Sequence, residues 1–412
     1  MAAKIVIDPV SRIEGHLKIE AVVDGGVVKE AKSSGLMYRG LENILLGRDP
    51  RDAARIMQRI CGVCPTSQGL TAAFALDEAY GVNGRITDNG RILRNLMQGA
   101  NYLQSHILHF YQLAALDYVD VTAVADYSGS DPALNKVKDF IGRGHLGPFV
   151  PRYEGDYRLS KEENRAAVAH YVEALNMRRM AHEMLAIFGG KMPHSMSIVA
   201  GGATAEPTID KMAAFLWRAE QLSDFIDTVY LPDVLMVARR YSDYFGIGAG
   251  CKQLLSFGVF DLDSDPDLTK RQRHFPQGIV TADLKLRRVD PSKITEEVEN
   301  SWFKANGPLH PYEGETIPDR DKAGAYSWSK SPRYDGQVME VGPLARMLAA
   351  YVAGDNQVKS MVDGVLGQFG AGPGALFSVL GRHAAPAHQT NLVVGKKNDW
   401  VLQLKPRDRN ST

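Results

Sequence analysis

Two cysteines stand three residues apart in Arg59-Ile60-Cys61-Gly62-Val63-Cys64-Pro65, with a helical pattern on either side. No other feature limits the fold as much. Upstream, Asp49-Pro50 reads as a helix cap followed by proline at the first helical position, and Ala54, Met57 and Ile60 or Cys61 recur at helical spacing. Downstream, Pro65-Thr66-Ser67 opens a second helix that runs to Tyr80 and is closed by Gly81. Both thiols are therefore expected on a turn between helices, where backbone amides can favour the thiolate. The remaining cysteine of the 412 residues is Cys251, so there are too few for a disulfide framework.

By itself a CxxC is open to three readings: buried thiols or a redox pair, a zinc site, or part of a softer metal site. A thioredoxin-type pair follows a strand in a βαβ unit, whereas here a helix precedes it. Structural zinc wants a second CxxC or a paired histidine motif. Cys251 stands alone, and His16, His106 and His109 lack that spacing.

The charges balance, 48 Lys and Arg against 48 Asp and Glu, so no overall field favours nucleic acid. The N-terminus has no apolar stretch or cleavage pattern of a secretory signal. No run approaches the roughly 18 apolar residues of a membrane span. If the protein is exported, a partner is expected to carry the signal.

Residues 16–34 alternate around Asp24-Gly25-Gly26, the pattern of a β-hairpin with a glycine turn. A long helix is expected from Asp88 to about Val119, a loop from Tyr127 to Tyr157, a helix over 162–188, and another over 208–245 broken near Leu231-Pro232. Residues 246–340 read as irregular, with short strand-like stretches such as Gln253–Phe260. Gly342-Pro343 introduces a helix to Tyr351, and 356–384 carries more helical pattern around the loop Gly370–Gly374, with helices reaching about 405. No repeat or linker marks a boundary. The expected fold is mainly α with small β appendages (α+β), one body over 1–412: hairpin about 5–35, helical core about 49–245, mixed region 246–340, C-terminal helices 343–405.

Two carboxylates sit at element boundaries beside glycines: Glu14 in Arg12-Ile13-Glu14-Gly15-His16, and Glu42 in Arg39-Gly40-Leu41-Glu42. Such a carboxylate is usually solvated, but it can be used for proton transfer if brought near a buried site. His106 and His109, with His182 and His194 on other elements, read as satisfied core or interface groups. The glycines of Gly189-Gly190 and Gly201-Gly202 lack phosphate-loop spacing and read as close backbone packing.

Taken together, Asp8-Pro9-Val10-Ser11-Arg12-Ile13-Glu14-Gly15-His16, Arg39-Gly40-Leu41-Glu42, Gly47-Arg48-Asp49-Pro50-Arg51-Asp52 and Arg59-Ile60-Cys61-Gly62-Val63-Cys64 resemble the large subunit of nickel–iron hydrogenases. So do the stretches Asn101–Tyr111, Phe188–His194, Glu340–Arg346 and Gly381–Ala385, in the family's order and over almost the whole chain. The likeness is to the uptake type, close to the nickel–iron–selenium branch. It implies that Cys61 and Cys64 supply two of four thiolates around a nickel–iron centre, Cys61 terminal on nickel and Cys64 bridging. Iron would carry carbon monoxide and cyanide. Glu14 stands where the family has a proton-gate glutamate, and Glu42 where it has a magnesium ligand. The implied reaction is heterolytic cleavage or formation of molecular hydrogen, with electrons passed to an iron–sulfur small subunit. A maturation chaperone, and a periplasmic location reached with the small subunit, belong to the same expectation, with a cytoplasmic location as the alternative.

The sequence also departs from the family. The second cysteine pair and final histidine, DPCxxCxxH, have no counterpart in Arg407-Asp408-Arg409-Asn410-Ser411-Thr412, so the C-terminal segment is expected to be lacking. Gln68 stands where the family has a histidine beside the bridging thiolate, and Gln112 also replaces a usual histidine. The alternative reading is an inactive paralogue or fragment that binds only partner subunits or chaperones.

Overall fold

The computed structural model describes residues 2–144, 147, 155–304 and 307–412. Sequence composition marks no boundary, yet the single body expected over 1–412 falls into two compact units: residues 1–48 with 289–339, and residues 49–288 with 340–412.

The smaller unit is built on an antiparallel sheet of β1 (Ala3–Ile7), β2 (Leu17–Asp24) and β3 (Val27–Gly35), in that order. Gly25 and Gly26 take φ of 60° and 76°, the left-handed pair that a two-residue hairpin turn demands. The expected hairpin is thus present, with β1 added along its free side through Ile5 opposite Ala21. A short helix α1 (Leu41–Leu45) follows. Residues Ile294–Glu297 pair antiparallel with Ser331–Tyr334. The backbone of Trp328 donates to Gly35 (2.8 Å), and Tyr38 stacks on the Trp328 ring at 4.6 Å. The backbone comes close to Ser329 there, since a Cβ at Gly35 would lie 2.3 Å from the Ser329 hydroxyl.

The larger unit is helical. A 3₁₀ turn at Pro50–Asp52, α2 (Ala53–Met57) and a second 3₁₀ turn at Gln58–Ile60 lead to α3 (Pro65–Ala79). Then come α4 (Asp88–Leu108), α5 (Pro132–Gly142), α6 (Lys161–Gly189), α7 (Ile209–Phe225), α8 (Leu231–Arg240), α9 (Pro343–Val352), α10 (Asn356–Phe369) and α11 (Val379–Gln403). Asp49, expected as a cap from the sequence, accepts a backbone N–H bond, and Thr87, Asp131, Ser160, Thr208, Asp355 and Ser378 cap their helices in the same way. At α6 the Ser160 cap is reciprocated by Glu163, a full capping box.

α4 packs against α6 and α11 at the centre of the unit and is buried nearly all round, with Leu93, Leu96, Met97 and Leu103 fully enclosed. α11 approaches α4 at Gly99, where a Cβ would stand 2.8 Å from Lys397 Cε.

Three features differ from the sequence reading. The expected loop 127–157 contains α5, begun by Asp131-Pro132; its residues 145–146 and 148–154 lie outside the described ones. The helix expected from Asp88 to about Val119 is α4 continued by a π turn at His109–Ala114 and a 3₁₀ turn at Ala115–Asp117. The break near Leu231-Pro232 is a π turn at Ile226–Tyr230, which lets the chain pass into α8 without ending. Proline cannot donate the next ladder bond, and a wider turn upstream absorbs the mismatch.

Candidate metal centre

The cysteine turn is fixed from both sides by glutamines. Gln58, fully buried, donates to the carbonyls of Ala54 (3.0 Å) and Ser195 (2.9 Å), which locks the turn that ends at Cys61. α3 lies close over that side chain, since a Cβ at Gly69 would sit 2.9 Å from Gln58 Cγ. Cys61 itself is extended, with φ −150°. Its sulfur accepts the backbone N–H groups of Val63 (3.3 Å) and Cys64 (3.2 Å). Cys64 occupies the cap position of α3 with Pro65 first in the helix. Proline there needs no donor, because the first N–H groups of a helix are free anyway. Cys61 is buried and Cys64 half-buried.

α4 turns a polar stripe toward α3. Arg94, Gln98, Asn101 and Gln104 recur at helical spacing and are all buried. Arg94 grips Asp77 with two nitrogens, at 2.6 and 3.2 Å, while its other donors reach Gly202 O and Val199 O. Gln98 donates to Ser67 Oγ at 2.8 Å. Gln104 donates to Val63 O inside the cysteine turn. Its own amide oxygen accepts from Arg178 Nε (3.3 Å) and sits 3.2 Å from His182 Nε2, both on α6. Burial, with the Arg178 charge as a lesser cause, pushes the His182 pKa down to about 4, so its ring is a neutral N–H donor at pH 7. A chain of contacts therefore runs from α6 through α4 to the backbone between the two thiols.

Gln68 lies one turn into α3 and its amide nitrogen is 3.8 Å from Cys64 Sγ, within reach of a hydrogen bond to sulfur. Cys61, Cys64 and Gln68 are thus brought together. Cys251 is exposed and its thiol faces its own loop, at Gln253 O. Glu14 and Glu42 belong to the smaller unit and are exposed there: Glu14 in the bend between β1 and β2 beside Gly15 (φ +114°), Glu42 in the first turn of α1 after the left-handed Gly40. Among the described residues no three His, Cys, Asp or Glu side chains gather as a metal-holding group.

His106 is a satisfied core group, as expected, buried and bonded to Gln389 Oε1 (2.8 Å), whereas His109 is exposed. His383 sits 3.0 Å from the Tyr118 hydroxyl. Gln112 donates to Tyr171 O at 3.3 Å. The sequence reading missed Gln58, Gln104 and Arg178. The signal was the polar spacing 94, 98, 101, 104 on a helix otherwise apolar enough for a core.

Comparison with known proteins decides the family. The profile described as nickel-dependent hydrogenase matches residues 39–411, and one described as HoxL-like matches residues 4–34. The periplasmic [NiFeSe] hydrogenase large subunit of Desulfomicrobium baculatum is 42% identical over 98% of this chain and 76% of its own length. The hydrogenase-2 large chain of Escherichia coli K12 is 36% identical over 89% of this chain and 71% of its own. Among solved structures, the Ni-Fe-Se hydrogenase of D. vulgaris Hildenborough superimposes with a TM-score of 0.84 at 44% identity, covering all of this chain and 81% of the other. The chain belongs to the nickel-dependent hydrogenase large-subunit family.

As a member of that family it is an oxidoreductase of molecular hydrogen, built to work around a nickel–iron centre and beside a small subunit. The α+β fold agrees with the structural match. So does the likeness to the nickel–iron–selenium branch, since identity is higher there than to the uptake enzymes of the rhizobia, such as the 37% of the Rhizobium leguminosarum large subunit. No helix among the described residues is long and apolar enough to cross a membrane.

Proposed function

We propose that Cys61 and Cys64 hold two of the sulfur positions of the hydrogenase nickel–iron centre. The observation that carries this reading is the turn itself. Two thiols share one tight turn, one sulfur accepts two backbone N–H groups, and glutamines from two directions fix the backbone. Soft thiolates suit nickel and iron, and fixed outer partners are what a metal site needs to keep its ligands in place. The pair fits such a centre in part. Its further thiolates have no counterpart among the described residues. When bound, the centre supplies the heterolytic cleavage of hydrogen; carbon monoxide and cyanide on its iron belong to this proposal.

The chain's own residues then have separate tasks. Gln68 donates to the Cys64 sulfur, doing with an amide what an imidazole does in relatives. Gln104 and Gln58 position the turn. Glu14 accepts and passes on the proton, and Glu42 offers a carboxylate oxygen to magnesium, a hard cation that prefers such ligands. Electrons leave to an iron–sulfur small subunit, because this chain has three cysteines and cannot hold such clusters. Maturation with a chaperone and residence in the periplasm complete the reading; the D. baculatum relative is named periplasmic.

The test is metal analysis of the purified complex with its small subunit. Nickel and iron near one each per large subunit are expected. A folded complex without metal would instead favour an inactive partner-binding paralogue. In a metal-loaded complex, Glu14→Gln should suppress hydrogen–water proton exchange while nickel and iron stay bound. Unchanged exchange would remove Glu14 from the proton path.

A further inference from the structure

β1 forms one edge of the three-stranded sheet in the smaller unit, and three apolar residues in a row, Ile5, Val6 and Ile7, stand on it about half exposed. Among the described residues its backbone bonds only to β2, from Ala3 opposite Val23 to Ile7 opposite Ile19. Every second residue therefore turns an N–H and a C=O outward, away from β2. An exposed apolar edge of this kind is a template for another strand.

The opposite edge is built differently. β3 carries Lys29, Glu30 and Lys32 within four residues, and Glu30 and Lys32 form an ion pair along the strand at 3.3 Å. Charges at that density guard an edge against pairing. β1 has no charge between Lys4 and Asp8. The edge open to pairing is β1.

The order of residues on β1 selects its partner. About Val6 the strand is self-complementary: in an antiparallel pair of two copies, Lys4 lies opposite Asp8, Ile5 opposite Ile7, and Val6 opposite Val6. Opposite charges and β-branched side chains directly across a ladder are favourable pairs. Lys4 already meets Glu20 at 2.7 Å, but Glu20 also holds Lys18 at 3.1 Å, so Lys4 can serve Asp8 as well. Asp8 is exposed, and among the described residues no cation pairs with it. Ile5 and Ile7 share a face of the sheet with their cross-strand neighbours Ala21 and Ile19, so the isoleucines of a second copy extend an existing apolar stripe.

We propose that β1 pairs antiparallel with β1 of a second copy of this chain, joining two three-stranded sheets into one of six. The two-fold arrangement uses both β1 edges at once and closes, leaving only the charged β3 edges outside. Five residues a side cover less than the roughly 1,200–2,000 Å² of a stable interface, so the association is weak and reversible. The thiols lie in the other unit and take no part, so failure here leaves the metal assignment untouched.

The experiment is sedimentation equilibrium of the chain purified with its small subunit, from about 1 to 200 µM, the range of a weak association, together with amide exchange over β1. Two copies of the complex should assemble at the upper end, and the amides of residues 4–7 should exchange more slowly there than at the lower end. Val6→Lys sets two like charges face to face at the two-fold and should weaken association by about tenfold or more with the thermal melt unchanged. Asp8→Lys alone should also weaken it, and Lys4→Glu combined with Asp8→Lys should restore it, which a misfolded variant would not do. In a Cys251→Ser background, Val6→Cys should cross-link two copies on air oxidation, because the facing Cβ atoms fall within disulfide reach, whereas Ile5→Cys should not.

A single heterodimer mass at every concentration overturns the proposal. So does protection of residues 4–7 that is independent of concentration, which would assign the edge to a strand of the small subunit. Dimers that persist in Val6→Lys, a charge swap that restores nothing, or equal cross-linking through Ile5→Cys would place any interface elsewhere and overturn it too.

Discussion

The two units of this chain use apolar side chains in opposite ways. In the larger, α4 is enclosed by α6 and α11, and Leu93, Leu96 and Met97 have no exposed surface. In the smaller, Ile5, Val6 and Ile7 of β1 and Val27 and Val28 of β3 are each about half exposed. Position in the fold, rather than residue type, therefore sets what a given side chain contributes. The residues proposed for the site follow the same division. The thiols sit in the unit with the rigid interior, where a polar stripe on the central helix can hold a backbone turn in register, while Glu14 and Glu42 stand on exposed segments of the sheet unit.

The contrast is most easily broken by truncation. Leu96→Ala should cost about 2–5 kcal/mol of stability by denaturant melt, because it leaves a cavity in a packed interior. Val6→Ala should cost less than about 1 kcal/mol. Equal losses would mean that the exposed sheet is as important to the fold as the helical centre.

Gln104→Leu comes next. It removes the bond to Val63 O and leaves the Arg178 and His182 donors without their acceptor, at a cost of about 1–3 kcal/mol. Loss of such outer support typically lowers metal affinity by about 10–100-fold, readable as nickel retention under chelator challenge. Full retention would show that the turn needs no help from α4.

Acid tests the larger unit again. Burial pushes the pKa of His106 down to about 3 and those of His383 and His388 to about 4, from an ordinary 6.5. The unfolded chain therefore takes up these protons first. Stability from the neutral rings is complete above about pH 6.5 and falls as the pH drops toward 4 and 3. His170 has the opposite sign: its bond to Asp233 raises its pKa, so that contribution is present below 6.5 and is lost as pH rises through the raised value. Urea melts should show a lower midpoint at pH 5 than at pH 7, and a His106→Gln variant should show a smaller difference.

The smallest effect is expected at Gln68→His. An imidazole there can also donate to the Cys64 sulfur, so nickel content and hydrogen turnover should change by less than about threefold, on the scale of an ordinary bond exchanged for another. A larger gain would mean that the amide, 3.8 Å from the sulfur, is a poor substitute.

Much of this arrangement is written locally. Asp49-Pro50, Cys64-Pro65 and Gly25-Gly26 act within four residues, through caps, a fixed proline φ and left-handed glycines, so the turns that carry the thiols and the hairpin are readable without a partner element. α5 was hidden because the glycines and prolines around it read as a loop, although Asp131-Pro132 is a sound helix start. The π turns were hidden for a different reason: the apolar spacing continues through them, and only packing shows where the ladder widens. α11 carries Pro386 in its interior and runs through it, supported by burial on α4, α7 and α9.

The sequence by itself determined the thiol pair, the helices that flank it, the sheet at the N-terminus and the family to which they belong, because each rests on short-range geometry or on motifs kept in order. Tertiary structure alone decided that Gln104, forty residues from Cys64, closes on the thiol turn, and that Arg346 lies over the Tyr102 ring with its Nε unmatched among the described residues. Hydrogen-bond partners across helices depend on which faces meet. That choice is made by burying the whole apolar surface of α4 at once, and no local window of residues contains it.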